Sequence, residues 1–230
     1  GICHTQILEI KGENATGSHV PNLMGHEGAG TVVSIGRGVA KVREGDKVIL
    51  SWIKGTGANS CPMPVKHAQE TINRGPVTTF STYTVVSENR CTPVTEAMPL
   101  RPAALIGCAV ATGMGMVFNN AKVQKDASIM IMGCGGIGIN AIHAASIAKA
   151  RIIVAADVLD EKLEIARAFG ATHAINPNRT NLEKEIAGIT GGKGLDYAID
   201  TVGRKHSMEF VYKCVNKISG KAILCGVPSP

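Results

Sequence analysis

The pattern of apolar and polar positions divides the chain into two parts with different periods. In the first part, short runs rich in β-branched and aromatic residues alternate with turns that contain Gly, Asp and Glu. These runs predict strands over residues 31–35, 47–53 and 80–86. Residues 51–76 are rich in Gly, Pro, Asn and Lys, so they are predicted to form a long irregular loop. This part of the chain is therefore expected to be β-rich with few helices.

From residue 102 onward, buried-strand runs and amphipathic helical patterns alternate at intervals of about 20–25 residues, which is typical of βαβ units in a parallel sheet. The predicted strands are 127–132, 151–156, 172–175, 195–199 and 221–225. The predicted helices are 138–150, 160–169, 181–189 and 206–218. The sequence thus predicts an α/β fold with two domains, a β-rich domain over 1–101 and a doubly wound parallel sheet over 102–230.

Composition narrows the classes of partner and the compartment. The formal net charge is +6 without a dense Lys/Arg block, and aromatic residues are only 3% of the 230, so no nucleic-acid partner is expected. No apolar run is long enough to span a bilayer, and no leader is visible, so we expect neither a membrane partner nor export. The seven cysteines are scattered and odd in number, which is typical of reduced thiols in a cytoplasmic protein.

A glycine-rich motif, GCGGIG at residues 133–138, follows the first strand of the α/β part and precedes its first helix. Gly133, Gly135 and Gly138 fit the dinucleotide-binding pattern G-x-G-x-x-G. The first permits a tight turn, the second lets the backbone approach a pyrophosphate, and the third lets helix and strand pack closely. With Gly136 and Ile137 between them, these residues are predicted to hold the phosphates at a helix N-terminus.

An acid completes the fingerprint. Asp157 follows the next strand, where it can accept hydrogen bonds from both ribose hydroxyls of an adenosine. A 2′-phosphate there would meet a like charge, so Asp157 predicts NAD rather than NADP. The alternative is that Asp157 only caps the next helix, although Asp160 is better placed for that role.

A second group of candidate residues could hold a metal ion. His26 and Glu27 stand side by side between glycines, Cys3 lies upstream and Cys108 lies downstream. The gaps between them are far wider than those of a zinc finger, whose ligands come in close pairs. Spacing alone is therefore a weak indication of a metal, because a histidine between glycines is more often a turn residue.

Five motifs in the same order give the chain a family resemblance. They are GICHT at 1–5, GHEGAGTVVSIG at 25–36, FSTYTVV at 80–86, GCAVATG at 107–113 and GCGGIG at 133–138. Together they resemble the zinc-dependent medium-chain alcohol dehydrogenases. The resemblance implies a GroES-like catalytic domain followed by a Rossmann domain. It also implies one catalytic zinc held by Cys3, His26 and Cys108, with Glu27 beside these ligands rather than on the ion.

The same resemblance implies roles for four other residues. Thr5 would contact the substrate oxygen and receive the alcohol proton, and His4 would face the cofactor pyrophosphate at the catalytic site. Thr112 would lie near the nicotinamide, and Lys162 would reach the adenosine ribose. Simpler interpretations stay open, since Thr5 could cap a helix and both His4 and Lys162 could be solvated surface residues.

The implied activity is hydride transfer between NAD and a primary, secondary or polyol-like alcohol. Two alternatives stay open: a zinc-free enone or quinone reductase of the same superfamily, and a dinucleotide-binding protein without catalysis. Zinc content and alcohol-dependent formation of NADH would separate the three.

The sequence also departs from the family pattern. Residues 51–76 contain only one cysteine, Cys61, so the structural zinc of many members is predicted to be absent. Gln6 stands where an acid often orients the ligand histidine, and Leu8 stands where some members relay protons through a histidine. The chain is also expected to lack family segments at both ends, and the full-length protein is expected to be a homo-oligomer.

Overall fold

The computed structural model describes residues 1–13, 21–61 and 63–228. Contacts within the chain define a first unit, residues 1–109, and a second unit that begins at Val110. The domain boundary after residue 101 stays a prediction. Among the described residues, no single helix has the length and apolarity needed to cross a bilayer.

Two small sheets build the first unit. Its strands are β1 Asn22–Leu23, β2 Gly28–Thr31, β3 Lys47–Leu50, β4 Val65–His67, β5 Glu70–Arg74 and β6 Cys91–Pro93. One sheet has the order β1-β5-β4 and the other has the order β2-β3-β6, in which both strand pairs are antiparallel. A small core packs beneath the second sheet and contains Val42, Val48, Leu50, Val77 and Cys91.

The first unit also contains helices that the sequence pattern did not indicate. These are α1 His4–Ile10, α2 Leu100–Ala103 and two 3₁₀ turns, Glu88–Arg90 and Ala104–Gly107. A seven-residue helix such as α1 is too short to show a clear apolar stripe. Contacts with other segments stabilise this helix, rather than the helix propensity of its own residues.

The predicted strand over residues 80–86 is wrong. The segment is made of bends and extended backbone outside any sheet. Phe80 N–H donates to the carbonyl of Met24 at 3.0 Å, and the hydroxyls of Thr78 and Thr84 lie 2.8 Å apart. The run has the composition of a strand, but β propensity describes a half-buried residue with paired neighbours, and no strand among the described residues pairs with this segment.

The other β predictions in this unit are right in kind but wrong in extent. The strand expected at 31–35 lies at Gly28–Thr31, because its partner β3 begins at Lys47 and residues beyond Thr31 run beside the turn at Gly45 and Asp46. β3 ends at Leu50 instead of residue 53. The region 51–76 is not wholly irregular, since β4 and β5 form a hairpin within it.

The second unit is a five-stranded parallel sheet, so the predicted doubly wound α/β architecture is confirmed. Its strands are β7 Ser128–Met132, β8 Ile152–Ala156, β9 His173–Ile175, β10 Tyr197–Asp200 and β11 Lys221–Leu224. The helices from the unit boundary onward are α3 Ala109–Gly115, α4 Gly136–Ile147, α5 Asp160–Ala168, α6 Leu182–Thr190 and α7 Lys205–Cys214, with a π-helical segment at Met116–Ala121.

The order of the parallel strands is β11-β10-β7-β8-β9. The chain reverses its direction of strand addition between β7 and β10, and ligands of such sheets bind outside the carboxyl ends of the strands at this switch point. Apolar clusters cover both faces of the sheet, and Ile129, Met130, Ile131 and Val154 have no exposed surface. The glycine-rich motif leaves β7 at the switch point.

Candidate functional site

Three side chains that are far apart in sequence meet in the first unit. The Sγ atoms of Cys3 and Cys108 and a ring nitrogen of His26 all lie within 4.8 Å of one another. Cys108 is buried, while Cys3 and His26 are partly buried. No other group of three such ligands occurs in residues 1–13, 21–61 and 63–228.

Cys3 is held at the start of α1. Its backbone is extended, with φ −92° and ψ 152°, and its carbonyl accepts the N–H of Gln6 at 3.1 Å. The side chain of Gln6 returns to the same residue, because its Oε1 accepts the N–H of Cys3 at 3.1 Å. The first turn of α1 therefore fixes the backbone that carries the Cys3 thiol.

A glycine before His26 sets the path of the chain. Gly25 has φ +92°, a conformation that side chains other than hydrogen rarely allow. A Cβ there would lie 2.5 Å from Oγ1 of Thr79 and 2.9 Å from the backbone nitrogen of Phe80. The carbonyl of Gly25 accepts the N–H of Thr79 at 3.2 Å. Close packing against residues 79–80 thus explains why glycine precedes the histidine.

Cys108 lies between the 3₁₀ turn Ala104–Gly107 and α3, and hydrogen bonds fix the backbone on both sides of it. Ser51 Oγ donates to the carbonyl of Gly107 at 2.8 Å. The N–H of Ala109 donates to Oε1 of Glu27 at 3.3 Å. Glu27 is only 5% exposed, so the structure places it beside the cysteine as an acceptor for the backbone.

The two thiols perturb each other. Hydrogen bonds from Cys108 and then from His26 hold the pKa of Cys3 well below that of a free thiol. The pKa of Cys108 is raised, first because its proton is shared with Cys3 and then because the thiol is buried. The pair therefore favours one thiolate and one thiol, and an added cation would favour two thiolates.

These three residues fit a zinc ion. Zn–S bonds of about 2.3 Å and Zn–N bonds of about 2.0–2.1 Å put tetrahedral ligand atoms about 3.5–4 Å apart. The observed spacing of up to 4.8 Å needs only small side-chain rotations to reach that arrangement. Two thiolates and a neutral imidazole balance the charge of Zn²⁺. Three protein ligands leave the fourth tetrahedral position open for an oxygen of water or of a substrate.

Two further sequence-predicted residues lie on α1. Thr5 is partly buried, and its Oγ1 lies 3.7 Å from Sγ of Cys3. His4, the first residue of the helix, is exposed. The structure therefore brings Thr5 to the edge of the cysteine–histidine cluster, while His4 faces solvent within this unit.

Sequence reasoning missed Trp52. Its side chain lies close enough to the sulfur of Cys108 to lower the pKa of that thiol, against the larger effects of Cys3 and of burial that raise it, and half of the residue is exposed. The indole N–H can only donate, so Trp52 stabilises a thiolate at Cys108. An available signal was that Trp52 is the only tryptophan of the chain.

The second unit contains the glycine-rich loop that is predicted to bind phosphates. Gly133 has φ +92°, and α4 begins at Gly136 with Gly135 as its N-cap and no side-chain cap. A Cβ on Gly138 would lie 1.8 Å from the carbonyl oxygen of Gly133, whereas a Cβ on Gly135 would meet no atom within 4 Å. The loop is thus closed on its inner side and open on its outer side, where Gly136 and Ile137 begin the helix. This arrangement fits a dinucleotide pyrophosphate.

Asp157 lies beside this loop and is 9% exposed. Its Oδ2 accepts the N–H of Cys134 at 2.7 Å, and its Oδ1 accepts the N–H of Leu159 at 3.0 Å. Burial, and then the charge of Asp157, raise the pKa of the Cys134 thiol to about 12. Lys162 is partly buried and close enough to Cys134 to lower the pKa of its thiol. The structure therefore brings both Asp157 and Lys162 to the loop that contains Cys134.

Gly113 is a second residue that sequence reasoning did not single out. A Cβ there would lie 2.5 Å from the carbonyl oxygen of Ile137 and 2.9 Å from the nitrogen of Ala141. α3 therefore packs directly against the first turns of α4, and this contact brings Thr112 close to the glycine-rich loop. The signal was the pair Thr112-Gly113 inside an otherwise helical run.

Comparisons with known proteins agree with this geometry. Residues 1–96 match the family model described as alcohol dehydrogenase GroES-like domain, and residues 136–230 match the model described as zinc-binding dehydrogenase. The S-(hydroxymethyl)glutathione dehydrogenase of Paracoccus denitrificans is 35% identical, over 99% of this chain and 69% of its own length. The Escherichia coli enzyme of the same name is 33% identical, over 99% and 68%.

Similar solved structures also come from alcohol dehydrogenases and related zinc-binding proteins. Benzyl alcohol dehydrogenase from Acinetobacter calcoaceticus superposes with a TM-score of 0.88 at 27% identity, over 100% of this chain and 68% of its own. An alcohol dehydrogenase zinc-binding domain protein from Burkholderia ambifaria has a TM-score of 0.87, also at 27% identity and with the same coverage.

Proposed function

This chain belongs to the zinc-dependent medium-chain alcohol dehydrogenase family, and from that premise we propose that Cys3, His26 and Cys108 hold its single catalytic zinc. Its reaction is the oxidation of an alcohol to a carbonyl compound, and NAD is proposed as the coenzyme. One observation carries the site assignment, namely the meeting of two sulfurs and an imidazole nitrogen within 4.8 Å. A zinc ion bound there supplies a Lewis acid that stabilises negative charge on an alcohol oxygen.

The residues around the three ligands divide the remaining tasks. Glu27 and Ser51 hold the backbone on either side of Cys108, so the thiol stays at its place when a substrate enters. Thr5 is assigned to receive the alcohol proton, and the distance of 3.7 Å between its hydroxyl and Cys3 Sγ supports this role. Leu8 carries no ionisable group, so the proton leaves Thr5 through the coenzyme ribose, water or another group.

The second unit holds the coenzyme in this proposal. The N-terminus of α4, with Gly135, Gly136 and Ile137, offers backbone N–H groups and a partial positive charge to the pyrophosphate. Asp157 accepts from the ribose hydroxyls, assisted by Lys162. NAD, when bound, supplies the acceptor for the hydride. Thr112 is assigned to the nicotinamide end, and His4 to the pyrophosphate, on family resemblance.

A single zinc per chain is part of the proposal. The stretch where related proteins carry four cysteines has only Cys61, which is exposed. The carboxylate of Glu88 connects this stretch to the segment before β3, since it accepts the backbone N–H of Ala58 and that of Lys41. Among the described residues, six cysteines lie outside any disulfide, which supports a reducing compartment such as the cytoplasm; they are Cys3, Cys61, Cys91, Cys108, Cys134 and Cys214.

The substrate class follows from what the relatives are named for. S-(hydroxymethyl)glutathione and benzyl alcohol both present a primary hydroxymethyl group, although one is a polar peptide conjugate and the other an aromatic alcohol. We propose a primary alcohol or hydroxymethyl compound as the substrate. Secondary and polyol alcohols serve as comparison compounds in the assay.

The test combines activity with metal content. The chain is incubated with NAD and a panel of alcohols, NADH formation is followed by its ultraviolet absorbance, and the zinc content of the same protein is measured. Zinc-containing protein that forms NADH supports the proposal. Metal-free protein that reduces an enone instead would favour the zinc-free reductase, and metal-free protein without turnover would favour a dinucleotide-binding role.

A further inference from the structure

A buried amide connects two of the three residues in the metal centre. Gln6 is only 3% exposed. Its Oε1 accepts the N–H of Cys3 at 3.1 Å, and its Nε2 lies 2.7 Å from Nδ1 of His26. Both distances are those of ordinary hydrogen bonds, so each end of the amide has a partner.

The donors and acceptors of this network determine where the ring of His26 carries its proton. An amide nitrogen has two N–H donors and no acceptor, so Nδ1 of His26 has to accept from Gln6. In the neutral ring the single proton then lies on Nε2, and a ring nitrogen of His26 lies within 4.8 Å of the sulfur of Cys3. This tautomer suits a thiolate, but a protonated Nε2 has no lone pair for a metal ion.

For Nε2 to ligate an ion, the ring proton has to move to Nδ1, which then needs an acceptor. Gln6 provides one only if its amide turns over and presents Oε1 to His26. The same rotation places Nε2 of Gln6 against the N–H of Cys3, so two donors face each other. Either orientation of the amide therefore leaves one of its two partners unsatisfied once His26 is a ligand.

We propose that Gln6 is a positioning residue of the metal centre, that its amide turns over when His26 ligates, and that the resulting conflict limits the zinc affinity of this chain. The inference rests on the proposed metal centre. A carboxylate at position 6 would accept from Nδ1–H of His26 and from the N–H of Cys3 at the same time. Replacing the amide by a carboxylate therefore removes the conflict.

The first experiment measures zinc affinity by competition with a chromophoric chelator for the wild-type chain, Gln6→Glu and Gln6→Leu. Gln69→Glu is the matched control, because it makes the same change of charge at an exposed turn between β4 and β5. We expect Gln6→Glu to bind zinc about tenfold more tightly and Gln6→Leu about tenfold more weakly, with no change in Gln69→Glu. A Gln6→Glu variant that binds no more tightly than wild type overturns the proposal.

The second experiment compares two states of the wild-type chain, so its outcome does not depend on the stability of a variant at position 6. The wild-type chain is labelled with ¹⁵N-histidine, and the ring signals of His26 are recorded without zinc and with zinc, with His26→Gln used for assignment. We expect the ring proton on Nε2 without zinc and on Nδ1 with zinc. A proton on Nδ1 in both states overturns the role of Gln6 alone, whereas a wild-type chain that binds no zinc overturns the metal centre itself.

Discussion

At the scale of the residue, one carboxylate holds two segments of the proposed coenzyme site. Asp157 accepts the N–H of Cys134 in the glycine-rich loop and the N–H of Leu159 before α5. A carboxylate has about four lone-pair positions, so two remain for ribose hydroxyls. The position of Asp157 after a strand predicted the contact with ribose. It did not indicate the hydrogen bond to Cys134, because the loop lies beside Asp157 only after the strands have paired.

Asp157→Ser is expected to change both coenzyme choice and stability. Loss of the negative charge should lower the ratio of kcat/KM for NAD to that for NADP. Loss of a charged acceptor for two backbone N–H groups should reduce the free energy of unfolding by about 2 kcal/mol. Coenzyme kinetics and urea denaturation measure the two effects. Asp157→Asn, which keeps one acceptor, should be less destabilised, and an unchanged coenzyme ratio in Asp157→Ser would refute the ribose role.

The metal ligands show where reasoning from residues ends. The gaps between Cys3, His26 and Cys108 carry no recognisable ligand spacing, so only the family resemblance grouped them before the structure did. Trp52 was missed for the same reason, since its contact with Cys108 arises from the end of β3 meeting the segment before α3. A hydrogen bond between residues 56 positions apart, Ser51 to Gly107, fixes that meeting.

At the scale of the element, the parallel sheet was predicted well and the β-rich unit poorly. Strands buried on both faces read as continuous apolar runs, and β7 and β8 are buried along their whole length. The hairpin of β4 and β5 has mostly exposed residues and a polar sequence, so its apolar pattern gave no signal. Residues 80–86 show the opposite error, a strand-like composition without a partner strand.

Because the connection from β7 to α4 is tightly packed, we expect that adding a single methyl group at Gly138 strongly destabilises the fold. In Gly138→Ala the new Cβ would lie 1.8 Å from the carbonyl oxygen of Gly133, so the loop has to shift. We expect the free energy of unfolding to fall by about 3 kcal/mol, with weaker NAD binding. Denaturant titration and coenzyme binding measure both effects.

Gly188→Ala in α6 is the control for that variant. A Cβ on Gly188 meets no atom within 4 Å, and alanine favours a helix interior over glycine. This variant is expected to be more stable by up to about 1 kcal/mol, with unchanged NAD binding. Equal effects of the two substitutions would contradict the packing described for Gly138.

A carboxylate holds the loop that precedes β4. The backbone N–H groups of Ala58, Lys41 and Ala40 donate to Glu88 and hold the pKa of its carboxyl below the ordinary value of 4.5. A carboxyl whose folded-state pKa is lowered stabilises the fold above the ordinary pKa. This contribution is lost as the pH falls from about 4.5 through the folded-state pKa.

We expect the thermal stability of Glu88→Gln relative to wild type to depend on pH. The variant should melt at a lower temperature than wild type at pH 7, and the difference should shrink as the pH falls below about 4.5. Thermal unfolding at a series of pH values measures this, with Glu70→Gln as the control because Glu70 is exposed on the hairpin. A difference in melting temperature that stays constant down to pH 3 would refute the role of the carboxylate.

At the scale of the whole molecule, the two units carry different parts of the proposed reaction. The first unit holds the cysteine–histidine cluster, and the second holds the glycine-rich loop and Asp157. The β11 strand lies at one edge of the parallel sheet. Self-association of the full-length protein stays a prediction, and sedimentation equilibrium would measure it.

The zinc content of the purified chain tests the central claim most directly. Metal analysis of wild type, Cys108→Ser and Cys61→Ser, all prepared in zinc-containing medium, compares a buried thiol of the cluster with an exposed thiol outside it. The account predicts one zinc per chain in wild type and in Cys61→Ser, and loss of that zinc in Cys108→Ser. Zinc that persists in Cys108→Ser, or a wild-type chain without zinc, would contradict it.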